Sequence, residues 1–170
     1  MSTTSANKKP ETKTKATKHF VFGDIGHCIA CGFGAGLTPK MPGTAGTVLA
    51  LPLYYLMASL PFAAQIILLA VMLIGGIWLC GRSAKALAVA DDGGIVFDEI
   101  TGFYAVLLFL PDNILWQAAG FVVFRILDAA KPPPIGWLDK NIGGGFGIML
   151  DDIAAAAATA ALLNAAMLLI

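Results

Sequence analysis

No charged side chain occurs between Lys40 and Arg82, and this gap constrains the fold more than any other feature of the sequence. Pro61 divides the gap into two apolar segments, 44–60 and 62–81. About 20 apolar residues in helical conformation span the roughly 30 Å hydrocarbon core of a bilayer. The two segments therefore predict a helical hairpin in a membrane, turning at residues 59–61.

The remaining composition agrees with a membrane protein. Hydrophobic residues make up 58% of the 170-residue chain and charged residues only 13%, whereas soluble domains are about one quarter charged. Further apolar segments cover 95–110, 114–130 and 153–170. These segments predict an all-α polytopic membrane helix bundle with about four transmembrane or partly re-entrant helices.

The hairpin 95–130 is the shortest of these elements. Its two apolar runs flank a Pro-Asp-Asn turn at 111–113, and at about 1.5 Å per residue each run rises only about 24 to 26 Å. To cross a bilayer, the helices must include their charged ends. A re-entrant pair that dips in from the cytoplasmic side is the alternative.

The N-terminal region differs from the rest. Residues 1–18 are rich in Lys and Thr and predict a disordered basic tail close to anionic headgroups. Residues 20–47 contain seven glycines and two prolines, which favours a glycine-rich interfacial or re-entrant segment over one unbroken span. We expect residues 19–170 to form one membrane-embedded domain.

Basic residues predict the orientation, because short cytoplasmic loops collect Lys and Arg. With the N-terminus inside and the C-terminus outside, all 11 basic residues fall on the cytoplasmic side, and the two outer turns contain none. The net charge of zero gives no sign of a nucleic-acid partner, and we expect none. The membrane is the expected partner, and nothing in the sequence indicates an oligomeric state.

Several kinds of site are disfavoured by what the chain contains. Cys28, Cys31 and Cys80 form neither a closed disulfide set nor a complete zinc motif, and we expect them to pack against helices. His19 and His27 have no acid partner motif and are expected to be interfacial or packed. The chain lacks the GxxxxGK[ST] phosphate loop and the DxDx[TV] nucleophile motif.

Carboxylates instead gather at the predicted cytoplasmic face. Uncompensated carboxylates repel one another and resist desolvation, so a cation is expected among them. Oxygen-only ligands favour a hard divalent ion, Mg²⁺ before Mn²⁺ or Ca²⁺. The candidate metal ligands are Asp91, Asp98, Glu99, Asp128, Asp151 and Asp152.

Other roles are open for some of these acids. Asp151 and Asp152 would equally suit the N-terminal cap of a helix. Asp91, with Asp92 and two glycines after it, would suit a loop turn, and Asp139 would suit a solvated surface. A purely structural role is less suited to Asp98 and Glu99, because they lie in the first turns of a short apolar helix, where carboxylates are costly to desolvate.

Four groups are candidates for contact with a substrate phosphate. Arg125 offers a planar fork and Lys131 a point charge, although Arg125 would equally pair with Asp128 or extend to the interface. Gly43 and Thr44 would meet a lipid phosphate at a helix N-terminus. A flexible turn entering the membrane is the alternative for these two.

Four separated motifs, in this order and spacing, resemble the bacterial phosphatidylglycerophosphatase A family. They are GFGAGLTPKMPGT at 32–44, IVFDEITG at 95–102, FRILDAAKPPPIGWLDK at 124–140 and GGFGIMLDDI at 144–153. The resemblance covers about residues 20–170 and implies an all-α, Mg²⁺-dependent membrane phosphatase of the bacterial inner membrane. Such an enzyme converts phosphatidylglycerol phosphate to phosphatidylglycerol and inorganic phosphate. The motif acids are Asp91, Asp98, Glu99, Asp128, Asp139, Asp151 and Asp152.

The mechanism expected from this resemblance is metal-assisted attack by water. Asp98, Glu99, Asp128 and the Asp151–Asp152 pair would hold one or two Mg²⁺ ions. Asp139 would take the proton of the water, and an aspartyl-phosphate intermediate is the alternative. The other function classes are a small cation carrier or channel with an acidic cytoplasmic mouth, and a metal- or lipid-binding scaffold without turnover.

Overall fold

The computed structural model describes residues 15–89 and 92–169, and the described part of the chain is helical without a β-strand. The predicted all-α class is thereby confirmed, whereas residues 1–14 of the predicted tail lie outside the described ranges. A 3-10 helix occupies Gly32–Leu37. The α-helices are α1 Lys18–Gly23, α2 Ile25–Ala30, α3 Pro42–Met57, α4 Phe62–Ala86, α5 Phe97–Leu108, α6 Ile114–Ala130, α7 Ile135–Asn141 and α8 Gly144–Met167.

Helix α5 forms the centre of the bundle, with α3, α4, α6 and α8 packed around it. Its residues from Ile100 to Leu107 are all buried, as expected of a helix that is apolar on every side. Tyr104, Phe103 and Phe124 are the largest fully buried side chains of the core. The 12 residues of α5 rise only about 18 Å, so α5 by itself is too short to cross a bilayer.

Within the described ranges, two helices, α4 and α8, are long and apolar enough to cross a membrane. Helix α4 has a mean hydropathy of 2.3, and most of its apolar residues are not buried. Helix α8 has a mean hydropathy of 1.6, and half of its apolar stretch is buried inside the bundle. Helix α4 therefore has the character of a lipid-facing helix, and α8 that of a helix shared between lipid and core. The count of about four spans and the N-terminus-inside orientation stay predictions.

One predicted boundary is wrong. The sequence predicts a last helix at 153–170, but α8 begins at Gly144. A Cβ at Gly145 would collide with the carbonyl of Ile77 and lie 2.7 Å from the amide nitrogen of Gly81. Glycines that resemble a loop thus let α8 lie against the backbone of α4. This close packing offsets their poor helix propensity, which is about 1 kcal/mol per glycine.

The glycine-rich N-terminal region folds into α1, α2 and the 3-10 helix, confirming that it is not one continuous span. Left-handed φ angles at Gly32, Phe33 and Gly34 turn the chain here. Asp24 caps α2 through the amides of Gly26 and His27. The segment is joined to the bundle where the amide of Val96, just before α5, donates to the carbonyl of Ala30 at 2.9 Å.

Candidate active site

Three carboxylates converge where the start of α5 meets α8. Asp98 and Glu99 lie in the first turn of α5, and Asp152 projects from α8. One carboxylate oxygen of each lies within 4.8 Å of the other two. Asp98 is 7% exposed and Asp152 3% exposed. The three acids therefore form a buried set of oxygens of the kind that holds a hard cation.

Asp128 and Arg125 extend this set from the last turns of α6. The Asp128 carboxylate lies beside that of Asp152 and accepts a hydrogen bond from the Arg125 guanidinium. The same guanidinium lies 3.8 Å from Glu99 Oε1. We call Asp98, Glu99, Asp128 and Asp152 the inner cluster, and Arg125 is the cation that contacts it.

The inner cluster fits a divalent cation. Four carboxylates share one guanidinium, so three negative charges are left over if all four acids are ionised. Glu99 Oε2 and Asp152 Oδ2 are buried and accept no hydrogen bond from the described residues, which is costly for carboxylate oxygens. A Mg²⁺ ion would offset two of these three charges and supply the missing partner.

The N-terminus of α3 closes one side of the cluster. A Cβ on Gly43 would collide with Glu99 Oε1 and lie 3.0 and 3.1 Å from the two terminal nitrogens of Arg125. Without a Cβ at this position, α3 lies directly against the ends of these two side chains. Helix α3 has no side-chain cap, and the hydroxyl of Thr44 is buried without a hydrogen-bond partner among the described residues. Both features suit an anion at this helix end.

A second acidic group lies beside the inner cluster. Lys131 donates at 2.5 Å to Asp139 of α7 and at 2.5 Å to Asp151 of α8. Burial lowers the pKa of Lys131, but these two hydrogen bonds outweigh burial and raise the pKa above its usual value. We call Lys131, Asp139 and Asp151 the lysine triad.

The lysine triad joins three helices around a strained residue. Lys131 ends α6 in the left-handed conformation, with φ at 44°. A Cβ on Gly136 would collide with the carbonyl of Lys131, so α7 also lies close to this backbone. The triad therefore connects the end of α6 with α7 and α8.

The predicted site residues divide among these places. The inner cluster contains Asp98, Glu99, Asp128 and Asp152, with Arg125, Gly43 and Thr44 next to it. Lys131, Asp139 and Asp151 form the lysine triad, and Asp91 lies outside the described ranges. The helix-cap alternative for Asp151 and Asp152 is wrong, because α8 begins seven residues before Asp151 and both acids lie inside the helix.

Two structural features were missed from the sequence, one at the site and one that links α4 to the N-terminal segment. A Cβ at Gly102 would lie 2.9 Å from Phe124 and 3.3 Å from the carbonyl of Asp152, so Gly102 lets α8 bring Asp152 to α5. A glycine inside an apolar helix was the available signal. The second is the pair of Arg82 with Asp24, 2.6 Å apart, which links α4 to the N-terminal segment and lowers the pKa of Asp24. Their distance in sequence gave no signal of this pair.

The cysteines and His27 have packing roles in the described structure. The three cysteines are free thiols, and burial raises the pKa of Cys31 to about 12. His27 Nδ1 lies 2.8 Å from the Ser83 hydroxyl, and its ring stacks on Phe20. Burial lowers the pKa of His27. These contacts confirm packing for His27, and the complete burial of Cys31 and Cys80 confirms it for these two thiols.

Comparison with known proteins identifies the family of this site. The family model described as phosphatidylglycerophosphatase A matches residues 28–167. The chain belongs to the phosphatidylglycerophosphatase A family. The matched range includes all residues of the inner cluster and of the lysine triad.

Individual relatives agree with the family. Phosphatidylglycerophosphatase A of Escherichia coli strain K12 is 44% identical over 155 residues, which cover 91% of this chain and 90% of the relative. The Haemophilus influenzae protein of the same name is 40% identical over 136 residues, covering 76% and 81% of the two chains.

A third relative has a different name. A putative phosphatidylinositol-3-phosphatase of Bacteroides thetaiotaomicron is 37% identical over 138 residues, covering 75% of this chain and 84% of the relative. No solved structure gives a significant match to the chain.

Proposed function

We propose that this protein removes the terminal phosphate of phosphatidylglycerol phosphate, giving phosphatidylglycerol and inorganic phosphate. The reaction depends on Mg²⁺ and takes place at the cytoplasmic face of the bacterial inner membrane, with the N-terminus inside. Family membership makes the chain a lipid phosphatase. The observation that carries the proposal is the convergence of Asp98, Glu99 and Asp152 beside Arg125 and the N-terminus of α3.

The inner cluster would hold the metal, and its surroundings would hold the phosphate. A bound Mg²⁺ would neutralise the carboxylates, polarise the phosphomonoester and favour attack by water. Arg125 contacts Glu99 and Asp128, and its Nε has no hydrogen-bond partner among the described residues. Arg125 would therefore stabilise charge that develops on the phosphoryl oxygens. Thr44 would donate its hydroxyl to the same phosphate.

A carboxylate must accept the proton that the attacking water loses. Asp128 lies between Arg125 and Asp152 and is suited to this step. Asp139, the acceptor predicted from the sequence, is bonded to Lys131 outside the inner cluster. A substrate with a chiral phosphate distinguishes the two routes, because direct attack by water inverts the configuration at phosphorus, whereas an aspartyl-phosphate intermediate retains it through two displacements.

The headgroup defines a second candidate. The relative from Bacteroides thetaiotaomicron is named a phosphatidylinositol-3-phosphatase, so phosphatidylinositol 3-phosphate is a specific competitor. We expect the two identically named relatives, with their higher identities, to predict the preferred substrate. Both lipids present a phosphomonoester on a polyol, so the metal and Arg125 would serve either one.

The test is phosphate release by the purified protein with each lipid, with and without Mg²⁺. We expect Mg²⁺-dependent release that is fastest with phosphatidylglycerol phosphate, and loss of release in Asp98→Asn. Unchanged release in that variant would refute the assigned site. Cation flux through protein-containing vesicles without any phosphate release would support the channel alternative instead.

A further inference from the structure

An apolar groove runs along the outside of the bundle between α3 and α6. Both helices pack on α5 but make no extensive contact with each other, which leaves the groove open at the side. Its volume is ≈ 330 Å³. Side chains of both helices line it, among them Val48 and Leu51 of α3 and Ala118, Phe121 and Val122 of α6.

The groove lies on the helix faces that carry the candidate phosphate site. On α3, Val48 and Leu51 follow Thr44 at four and seven residues, which places them on the same helix face. On α6, Val122 and Phe121 precede Arg125 by three and four residues and share its face in the same way. The walls of the groove thus continue the two surfaces that carry the Thr44 hydroxyl and the Arg125 guanidinium.

Hydrogen-bonded polar side chains lie towards the other end of the groove. Tyr55 of α3 donates its hydroxyl to Gln117 of α6, and Gln117 donates to Asp112 at 3.0 Å. Thr44 and Tyr55 are 11 residues apart on α3, which corresponds to about 16 Å of helix. This length is about half of the roughly 30 Å hydrocarbon core, the depth that one leaflet gives to an acyl chain.

We propose that this groove holds one acyl chain of the lipid substrate while its phosphate lies at Arg125, Thr44 and the inner cluster. The inference rests on the proposed function and adds the position of the lipid tail. An acyl chain gains no hydrophobic free energy when it leaves surrounding lipid for the groove, because both are apolar. The groove therefore acts by orientation, holding the headgroup in register with the catalytic groups.

Filling the groove tests the proposal. Ala118 is an exposed groove residue, whereas Ala158 of α8 is exposed and outside the groove. Ala118→Phe and Ala158→Phe therefore form a matched pair. For each variant, kcat and KM are measured with dioleoyl and dihexanoyl phosphatidylglycerol phosphate. The short dihexanoyl chains reach only the part of the groove that lies next to the phosphate site.

We expect Ala118→Phe to lower kcat/KM for the dioleoyl substrate roughly tenfold more than for the dihexanoyl substrate, as expected when orientation is lost. Ala158→Phe should keep the wild-type ratio between the two substrates. An equal loss on both substrates by Ala118→Phe, or the same ratio in both variants, would overturn the proposal.

A second measurement does not depend on turnover or on the folding of a variant. Wild-type protein is photolabelled in vesicles with phosphatidylglycerol that has a diazirine at the end of one acyl chain. Unlabelled phosphatidylglycerol phosphate should reduce labelling of α3 and α6 but not of the exposed α4 face at Ile67 and Ile74. Equal competition at the groove and at the α4 face would overturn the proposal that the groove holds an acyl chain. Absence of phosphate release with selective competition would refute the proposed function and leave the groove supported.

Discussion

The inner cluster and the lysine triad lie side by side, and both contain buried acids from the same stretch of α8. Asp151 belongs to the triad and has Lys131 as a direct partner, whereas its neighbour Asp152 belongs to the cluster and faces further carboxylates. In the triad one cation serves two acids, and in the cluster one cation serves four. The difference shows that adjacent acids in a motif need not share a role. The triad is suited to joining helices, and the cluster to binding a cation.

Metal removal should show the difference between the inner cluster and the lysine triad most clearly. We expect a chelator to abolish phosphate release, and Mg²⁺ to raise the melting temperature, because a ligand that binds only the folded state stabilises it. At a concentration of about 100 times Kd, this stabilisation is about 2.7 kcal/mol. The measurement is a thermal melt with and without Mg²⁺ for wild type, Asp152→Asn and Asp139→Asn.

The two variants serve as the comparison within that experiment. Asp139→Asn should keep the Mg²⁺-induced shift, and Asp152→Asn should lose it. A shift retained by Asp152→Asn and lost by Asp139→Asn would place the metal at the lysine triad instead of the inner cluster.

Asp152→Asn should also have the largest effect on activity among single substitutions. We expect phosphate release to fall about a thousandfold or more, since even the neighbours of metal ligands typically contribute 10- to 100-fold. In the absence of Mg²⁺ the variant should be at least as stable as wild type, because one of the mutually repelling buried carboxylates becomes neutral. Activity assays and chelator-treated melts measure the two effects. A fall in both activity and metal-free stability would indicate a structural role.

Lys131→Met should have an intermediate effect that is mainly structural. Removing the lysine leaves the buried Asp151 carboxylate without its cation, and losing one partner of a buried pair costs about 3 to 5 kcal/mol. The 28% exposure of the Lys131 side chain favours the lower end of this range. Urea unfolding measures the change, and phosphate release should fall about 10- to 100-fold as α7 and α8 shift.

The double variant Lys131→Met/Asp151→Asn is the control for this reading. It should regain part of the lost stability, because no uncompensated charge is left. If Lys131 instead contacts the substrate phosphate, the double variant would regain stability without any gain in activity.

Asp139→Asn should have the smallest effect. Its carboxylate is 37% exposed and pairs with Lys131, so we expect phosphate release within about threefold of wild type and an unchanged pH profile. Loss of the proton acceptor would instead lower the rate about 10²- to 10⁴-fold. The pH dependence of kcat and of kcat/KM therefore decides whether Asp139 is the base that the sequence predicts.

Much of the fold could be predicted because long apolar helices are recognised by their length and composition. Helices α3 and α4 with the turn between them, the turn between α5 and α6 and the interrupted N-terminal region lie where the sequence predicts them. The predicted hairpin packing is not formed, because α3 packs on α5 and makes no extensive contact with α4. The start of α8 was predicted too late. Its glycines resemble a loop until the backbone of α4 is known to lie against Gly145.

The acids of the site could be named from the sequence because carboxylates in an apolar chain need a compensating partner. Three of the four inner-cluster acids lie in or beside motif pairs, Asp98 with Glu99 and Asp151 with Asp152. Sequence also predicted that Arg125 and Asp128 share a helix face, and the structure confirms their pairing. The sequence did not show how the acids divide between the inner cluster and the lysine triad.

By itself, then, the sequence determined the helical class, the family and the set of acids, since these depend on composition, order and spacing. Apart from the pair of Arg125 with Asp128, only the tertiary structure decided which acid has which partner. Asp151 and Asp152 are adjacent in the chain, yet successive residues of an α-helix point about 100° apart, and so they enter different surroundings. Glycines 43, 102 and 145 decided how closely the helices approach, because a missing Cβ has an effect only where another backbone or side chain takes its space.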